Sequence, residues 1–327
     1  MEKFLIIQTA FIGDVVLSTA LIEKIASHYP KATIDFLVRD GNQSLLENNP
    51  FINEVLIWKK KNRKYYHLFQ LLKVIRRKKY NKVINVQRYF ATGLLTAFSN
   101  AEERIGFNKN PLSFLFDKII PHHTKSNEHE IERNQHLIEH FTDKINTLPK
   151  LYPSQRDYES VAPYLKSPFI NIFPTSVWFT KQLPENTWVS FIDQLPKDYT
   201  IYLLGGKENI DACQKLQVKC KNKNVKTLAG KLSFLQSCAL MEKATMNYSN
   251  DSAPLHFSSA LNAPITAIYC STAPLLGFTP LSKNAHIVES KEVLHCKPCN
   301  DHGKKACPKG HFKCGTTIQV LQLLETL

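Results

Sequence analysis

No run in the 327 residues reaches the uninterrupted apolar length needed to cross a bilayer, which excludes a helical membrane-spanning protein. The start, Met1-Glu2-Lys3, passes directly into the strand-like Phe4–Ile7, so no secretory signal is expected. There is no internal repeat and no low-complexity tract. There is no His-Glu-x-x-His, so a zinc hydrolase is not indicated. Acidic residues are scarce where basic ones crowd: between Lys59 and Lys82 there is none. What remains is a soluble, cytosolic chain whose 43% hydrophobic content can bury substantial cores, most naturally as two domains.

The chain keeps a strand–helix rhythm. Strands are expected at 4–8, 32–38, 54–58 and 82–87, then at 168–173, 200–204, 225–228, 244–248, 264–269 and 285–288, with helical stretches between them. Val15–Ala26 has apolar residues at helical spacing, and Ser233-Phe234-Leu235-Gln236 is a capping-box pattern. Such alternation predicts an α/β protein with parallel sheets and helices on both faces. Prolines and polar residues interrupt the pattern over Tyr152–Pro168, the expected linker, giving domains 1–160 and 161–327.

Two strand-to-helix turns carry the chemistry. Near the start, Gly13 permits close backbone approach and Asp14 stands in the first turn of a helix; taken alone, these residues read first as a plain helix cap. Later, Ser249-Asn250-Asp251-Ser252-Ala253-Pro254-Leu255-His256 ends one strand and opens a short helix. A helix start offers unpaired N–H groups and partial positive charge, a seat for phosphate, although Asn-Asp-Ser is also ordinary capping chemistry.

Together the two segments resemble the heptosyltransferases of bacterial lipopolysaccharide synthesis, which carry Gly-Asp after the first strand and a later Asn-Asp-Ser-Gly-Pro-x-His. The resemblance extends through Arg104-Ile105-Gly106-Phe107, the charged stretch Glu128–Arg133, and Lys181 with Pro184 and Trp188. It continues in Gly205-Gly206 with Glu208 and in Leu228-Ala229-Gly230-Lys231-Leu232-Ser233. It implies a GT-B fold: two doubly wound Rossmann-like domains facing a central cleft, residues 1–160 binding the acceptor and 161–327 the nucleotide sugar. It implies inverting transfer of heptose from ADP-heptose to a lipid A–core acceptor, with Asp14 as general base. Gly13, Thr175, Ser176, Lys181, Glu208, Asp251, Ser252 and His256 would serve the donor. No Asp-x-Asp is present, and no metal cofactor is required by this scheme. The chain departs from the family pattern at Ala253, where glycine is usual, at Phe173-Pro174-Thr175-Ser176 and at Gln182-Leu183. If position 253 needed positive φ, alanine would be strained there.

The net charge is +14. Lys59, Lys60, Lys61, Arg63 and Lys64 open a basic stretch interleaved with Tyr65, Tyr66 and Phe69, suited to an anionic membrane surface or a phosphorylated glycolipid. These five are the expected acceptor-binding residues, on a protein peripheral to the inner face of the inner membrane. A solvated helix face remains the alternative, and no nucleic-acid motif accompanies the charge. Cys213, Cys220, Cys238 and Cys270 read as small buried hydrophobes. Cys296, Cys299, Cys307 and Cys314 could hold a structural zinc or remain reduced thiols. His122, His123, His129, His136 and His140 read as surface histidines. The alternatives are a related transferase with another nucleotide sugar or a polysaccharide or protein acceptor, and a non-catalytic binder of anionic surfaces.

Overall fold

The computed structural model describes residues 1–60, 63–123 and 128–327, which divide between Tyr152 and Pro153 into two units. The first contains β1 (Lys3–Ile7), α1 (Ile12–His28), β2 (Thr33–Arg39), β3 (Ile52–Trp58), α2 (Lys64–Lys78), β4 (Lys82–Asn85), α3 (Phe90–Ala97), β5 (Glu103–Phe107), β6 (Lys118–Ile120) and α4 (Glu130–Gln135). Its strands pair in the order β3-β2-β1-β4-β5-β6, all parallel. Phe4–Ile7 and Ile34–Val38 are buried without alternation, as a sheet covered on both faces requires. Helix α1 is buried from Val15 to Ala26, Lys24 included. The Lys24 ammonium is satisfied by the Asp143 carboxylate at 3.1 Å and by the carbonyls of Asp143 and Ile145 at 2.6 and 3.0 Å.

The second unit contains α5 (Gln155–Val161), β7 (Phe169–Phe173), α6 (Glu185–Gln194), β8 (Thr200–Leu203), α7 (Ile210–Lys219), β9 (Val225–Thr227), α8 (Phe234–Lys243), β10 (Met246–Asn250), α9 (Ala253–Leu261), β11 (Ile265–Tyr269), β12 (Ala285–Glu289), α10 (Lys313–Thr316) and α11 (Val320–Leu324). Its order, β12-β11-β10-β7-β8-β9, repeats the first topology and is again all parallel. Trp188, Phe191 and Tyr248 fill the space between sheet and helices, and the Tyr248 hydroxyl donates to the Leu323 carbonyl at 3.1 Å. The expected capping box forms: Gln236 N–H donates to Ser233 Oγ at 3.1 Å, and Ser233 N–H to Gln236 Oε1 at 2.9 Å.

Three features depart from the sequence reading. β5 and β6 extend the first sheet by two strands that were not expected. The stretch read as a linker is partly helical: Ser154 and Asp157 cap α5 reciprocally, and Tyr158 hydrogen-bonds Glu242 of α8. Of the five histidines read as surface residues, His123 and His140 are exposed and His122 and His136 half-buried, but His129 is buried. Ile131 N–H donates to His129 Nδ1, which caps α4; His140 pairs with Glu103 at 2.8 Å; and His122 packs edge-on against Phe107. Burial, then Lys109 and Arg133, push the His122 imidazole down to about 4. Among the described residues, no helix is long and apolar enough to cross a membrane.

In both sheets the chain reverses direction of growth at one place, between β1 and β4 and between β7 and β10. The loops at the carboxyl ends of the strands flanking that switch are where open α/β sheets bind ligands.

Candidate active site

At the first switch, β1 ends in Gln8-Thr9-Ala10-Phe11, and α1 begins with Gly13 and Asp14 as its second and third residues. Phe11, the residue before the helix, has no side-chain oxygen to cap it. The Asp14 carboxylate takes over part of that role, accepting from the backbone N–H groups of Phe11 and of Asp14 itself. These bonds and Arg39 favour the ionised form, but burial and the Glu130 carboxylate outweigh them and raise Asp14 to about 6. Asp14 is therefore a carboxylate above neutral pH with a proton affinity well above the ordinary range, suited to general-base work.

Arg39 and Lys109 act on it electrostatically, and Lys60 stands on the preceding loop. Arg39, at the end of β2, lies 4.9 Å over the Phe11 ring. Lys60 donates to the Thr9 carbonyl at 2.8 Å and to Thr9 Oγ1 at 3.1 Å, and sits over Trp58; burial, then Arg39 and Lys64, lower it to about 8. Lys109, lowered to about 8 chiefly by burial, feels both Glu130 and Asp14. Of the five residues expected to bind acceptor, Lys60 is thus tied to the β1 loop. Lys59, Arg63 and Lys64 are exposed, Arg63 in left-handed backbone at φ 45° before α2; Lys61 lies outside the described residues. Arg39 and Lys109 were missed. Arg39 could have been found from its place at the carboxyl end of the strand beside β1.

At the second switch, Lys181 follows β7 and Asp251 follows β10, and the two meet in an ion pair at 2.7 Å. Both side chains are largely buried, and the Thr272 hydroxyl donates to the same Asp251 Oδ2 at 2.6 Å. Asn250 ties the two loops, its Oδ1 accepting from Leu183 N–H at 2.9 Å. Asp251 is therefore committed to Lys181 and Thr272. Ser252 stands before α9 without placing its side chain on the helix's N–H groups. The plain-capping reading of Asn-Asp-Ser is excluded by this geometry. His256 lies one turn into α9, buried and 6.3 Å from the Phe278 ring. Ala253 is the first residue of α9 and is not among the residues with positive φ, so the expected strain at this departure does not arise.

Thr175 and Ser176 lie half-buried in the loop after β7, where the Ser176 carbonyl accepts from Gln182 Nε2 at 2.7 Å. Glu208 is exposed in the turn after Gly205-Gly206, its carboxylate folded over Gly206. Neither Thr175 nor Ser176 shares a hydrogen bond with the Lys181–Asp251 pair among the described contacts. Cys213, Cys220, Cys238 and Cys270 are buried as expected. Among the described residues, no three His, Cys, Asp or Glu side chains gather as a metal-holding group. Cys296 Sγ lies 3.9 Å from His311 Nε2. Burial raises the Cys307 thiol, but the N–H groups of Phe312, Lys309, Gly310 and His311 outweigh it and lower its pKa.

Two doubly wound parallel units, each with polar and charged side chains at its switch point, give the chain the GT-B fold. Solved structures bear out the fold. Heptosyltransferase II of E. coli aligns with TM-score 0.82 and 20% identity over 100% of this chain and 97% of its own. A family 9 glycosyltransferase from Veillonella parvula aligns with TM-score 0.84 and 21% identity over 99% and 96%. The sequence profile of glycosyltransferase family 9 (heptosyltransferase) matches residues 68–309, and the chain belongs to that family. It is also 25% identical to lipopolysaccharide heptosyltransferase 3 of Escherichia coli over 296 residues, 84% of this chain and 85% of that one.

Proposed function

We propose that the protein transfers heptose from ADP-heptose to a lipid A–core acceptor with inversion, Asp14 acting as general base. The observation that carries this reading is the place of the Asp14 carboxylate, in the first turn of the helix that follows β1, with Arg39 over the neighbouring Phe11 ring and burial raising the carboxyl to about 6. As the acceptor hydroxyl attacks the anomeric carbon, its proton passes to Asp14 and the bond to the diphosphate breaks. The leaving ADP gathers negative charge, which Lys181 and the uncapped start of α9 stabilise. Asp251 and Thr272 hold the lysine in place. Thr175, Ser176 and His256 contact the donor, Ser252 presents the helix start, and Glu208 reaches the nucleotide ribose. The scheme calls for no divalent cation. Arg39, Lys60 and Lys109 suit the acidic groups of the acceptor.

The protein works at the cytoplasmic face of the inner membrane, held peripherally. In support, Tyr65, Tyr66 and Phe69 of α2 are 69, 56 and 55% exposed beside the exposed Lys64, Lys73, Arg76 and Arg77. The donor is tested by thermal stabilisation with a panel of nucleotides. ADP or ADP-heptose at a hundredfold over its Kd adds about 2.7 kcal/mol. A shift with these and none with UDP or GDP is expected; selective response to another nucleotide would overturn the donor assignment.

A further inference from the structure

The carboxyl-terminal loop that carries the cysteines reaches the Lys181 segment. Thr180 N–H donates to the Lys304 carbonyl at 3.1 Å, and Lys304 N–H returns to Thr180 Oγ1 at 2.8 Å. Thr180 Oγ1 also takes the Ser271 hydroxyl at 2.9 Å, and Ser271 accepts from Cys299 N–H at 2.9 Å. The loop is thus pinned on both sides of residues 300–303.

Between those pins lies Gly303, buried and at φ +83°. Asn300 wraps it from both sides: its Oδ1 accepts from Gly303 N–H at 2.5 Å, and its Nδ2 donates to the Gly303 carbonyl at 3.2 Å. A Cβ at residue 303 would stand 2.7 and 2.9 Å from Cγ and Cδ of Lys181 and 2.9 Å from Trp178 Cβ. Those lysine atoms belong to the fixed part of the stem, whose far end is already held by Asp251. The stem therefore runs along a wall of bare backbone that only glycine provides.

We infer that the Asn300–Lys304 turn is a positioning element for Lys181, with Gly303 as the wall and Asn300 as the clamp that aims the ammonium at the donor diphosphate. Gly303 and Asn300 touch no reacting atom; they act through Lys181. The inference rests on the reading of Lys181 as a donor-phosphate residue. It gives the terminal loop a task in the transfer site, independent of what the cysteines bind.

The test is calorimetric binding of ADP, with donor and acceptor KM measured alongside. Gly303→Ala is expected to weaken ADP binding and raise donor KM about tenfold or more, the loss from misplacing one charge-assisted hydrogen bond, while acceptor KM stays unchanged. Asn300→Ala, which adds no bulk, should give a smaller loss in the same direction, so the inference stands on a second variant if Gly303→Ala does not fold. Lys181→Met keeps the stem and drops the ammonium; in that background Gly303→Ala should have no further effect on ADP affinity. Wild-type ADP binding in both single variants, or an undiminished Gly303→Ala effect in the Lys181→Met background, overturns the inference. Unchanged ADP affinity in Lys181→Met alone would instead refute the role of Lys181, and the inference would fall with it.

Discussion

Replacing Asp14 by Asn should make the protein more stable and nearly inactive, two effects with one cause. The carboxyl is raised from 3.8 to about 6 in the folded chain, first by burial and then by Glu130. A folded pKa above the unfolded one contributes stability that is fully present below pH 3.8 and is lost as pH rises through 6. At pH 8 the ionised Asp14 therefore holds the native state below the stability it would have with a neutral side chain. Raising the carboxyl from 3.8 to about 6 corresponds to about 3 kcal/mol, reduced to about 1–2 kcal/mol by the water that reaches this half-buried group. Asn is neutral and nearly isosteric, so Asp14→Asn should gain that amount at pH 8, with the gain shrinking below pH 6. Transfer should meanwhile fall by about 10²–10⁴-fold with the base removed. Denaturant unfolding at pH 8 and pH 5, beside a transfer assay, reads both effects. A destabilised Asp14→Asn at pH 8 would refute the burial argument, and full transfer activity would refute the base.

Three other outcomes follow from the same geometry. In the wild type, kcat/KM should decline below about pH 6 as Asp14 takes a proton, and Glu130→Gln should move that decline to lower pH; a profile indifferent to Glu130 contradicts their coupling. Neutralising Lys73, Arg76 and Arg77 on the outer face of α2 should weaken binding to anionic vesicles and remove most of its salt dependence; unchanged vesicle sedimentation would sink the membrane reading. Asp35→Ala should destabilise by about 3–5 kcal/mol, because the buried carboxylate accepts from Tyr80 at 2.6 Å, Lys78 at 2.7 Å and Asn53 at 2.8 Å, and all three would lose it. A denaturation midpoint within error of wild type would contradict that accounting.

The long apolar strands were legible because burial on both faces leaves an unbroken hydrophobic run, as in Phe4–Ile7 and Ile265–Tyr269. β5 and β6 were not: β5 opens with the charged Glu103 and Arg104, and β6 is three residues at a sheet edge. Asp14, Lys181 and Asp251 stood out because each lies in a turn with a recognisable local pattern. Arg39, Thr272 and Gly303 come from segments far apart in sequence: the sheet order sets Arg39 beside β1 and Thr272 after β11, and hydrogen bonds through Thr180 bring the Gly303 turn to Lys181. Ala253 is the reverse case: a departure from a family pattern that would strain the chain only at positive φ is an ordinary first helical residue in the fold.

The most direct measurement is transfer itself: purified protein, ADP-heptose and a lipid A–core acceptor lacking the terminal heptose, followed by mass spectrometry of the glycolipid and detection of released ADP. The account predicts an acceptor heavier by one heptose residue, with ADP released in equal amount and neither product formed by Asp14→Asn. Intact acceptor and no ADP release, from protein shown by thermal shift to bind both substrates, would contradict it.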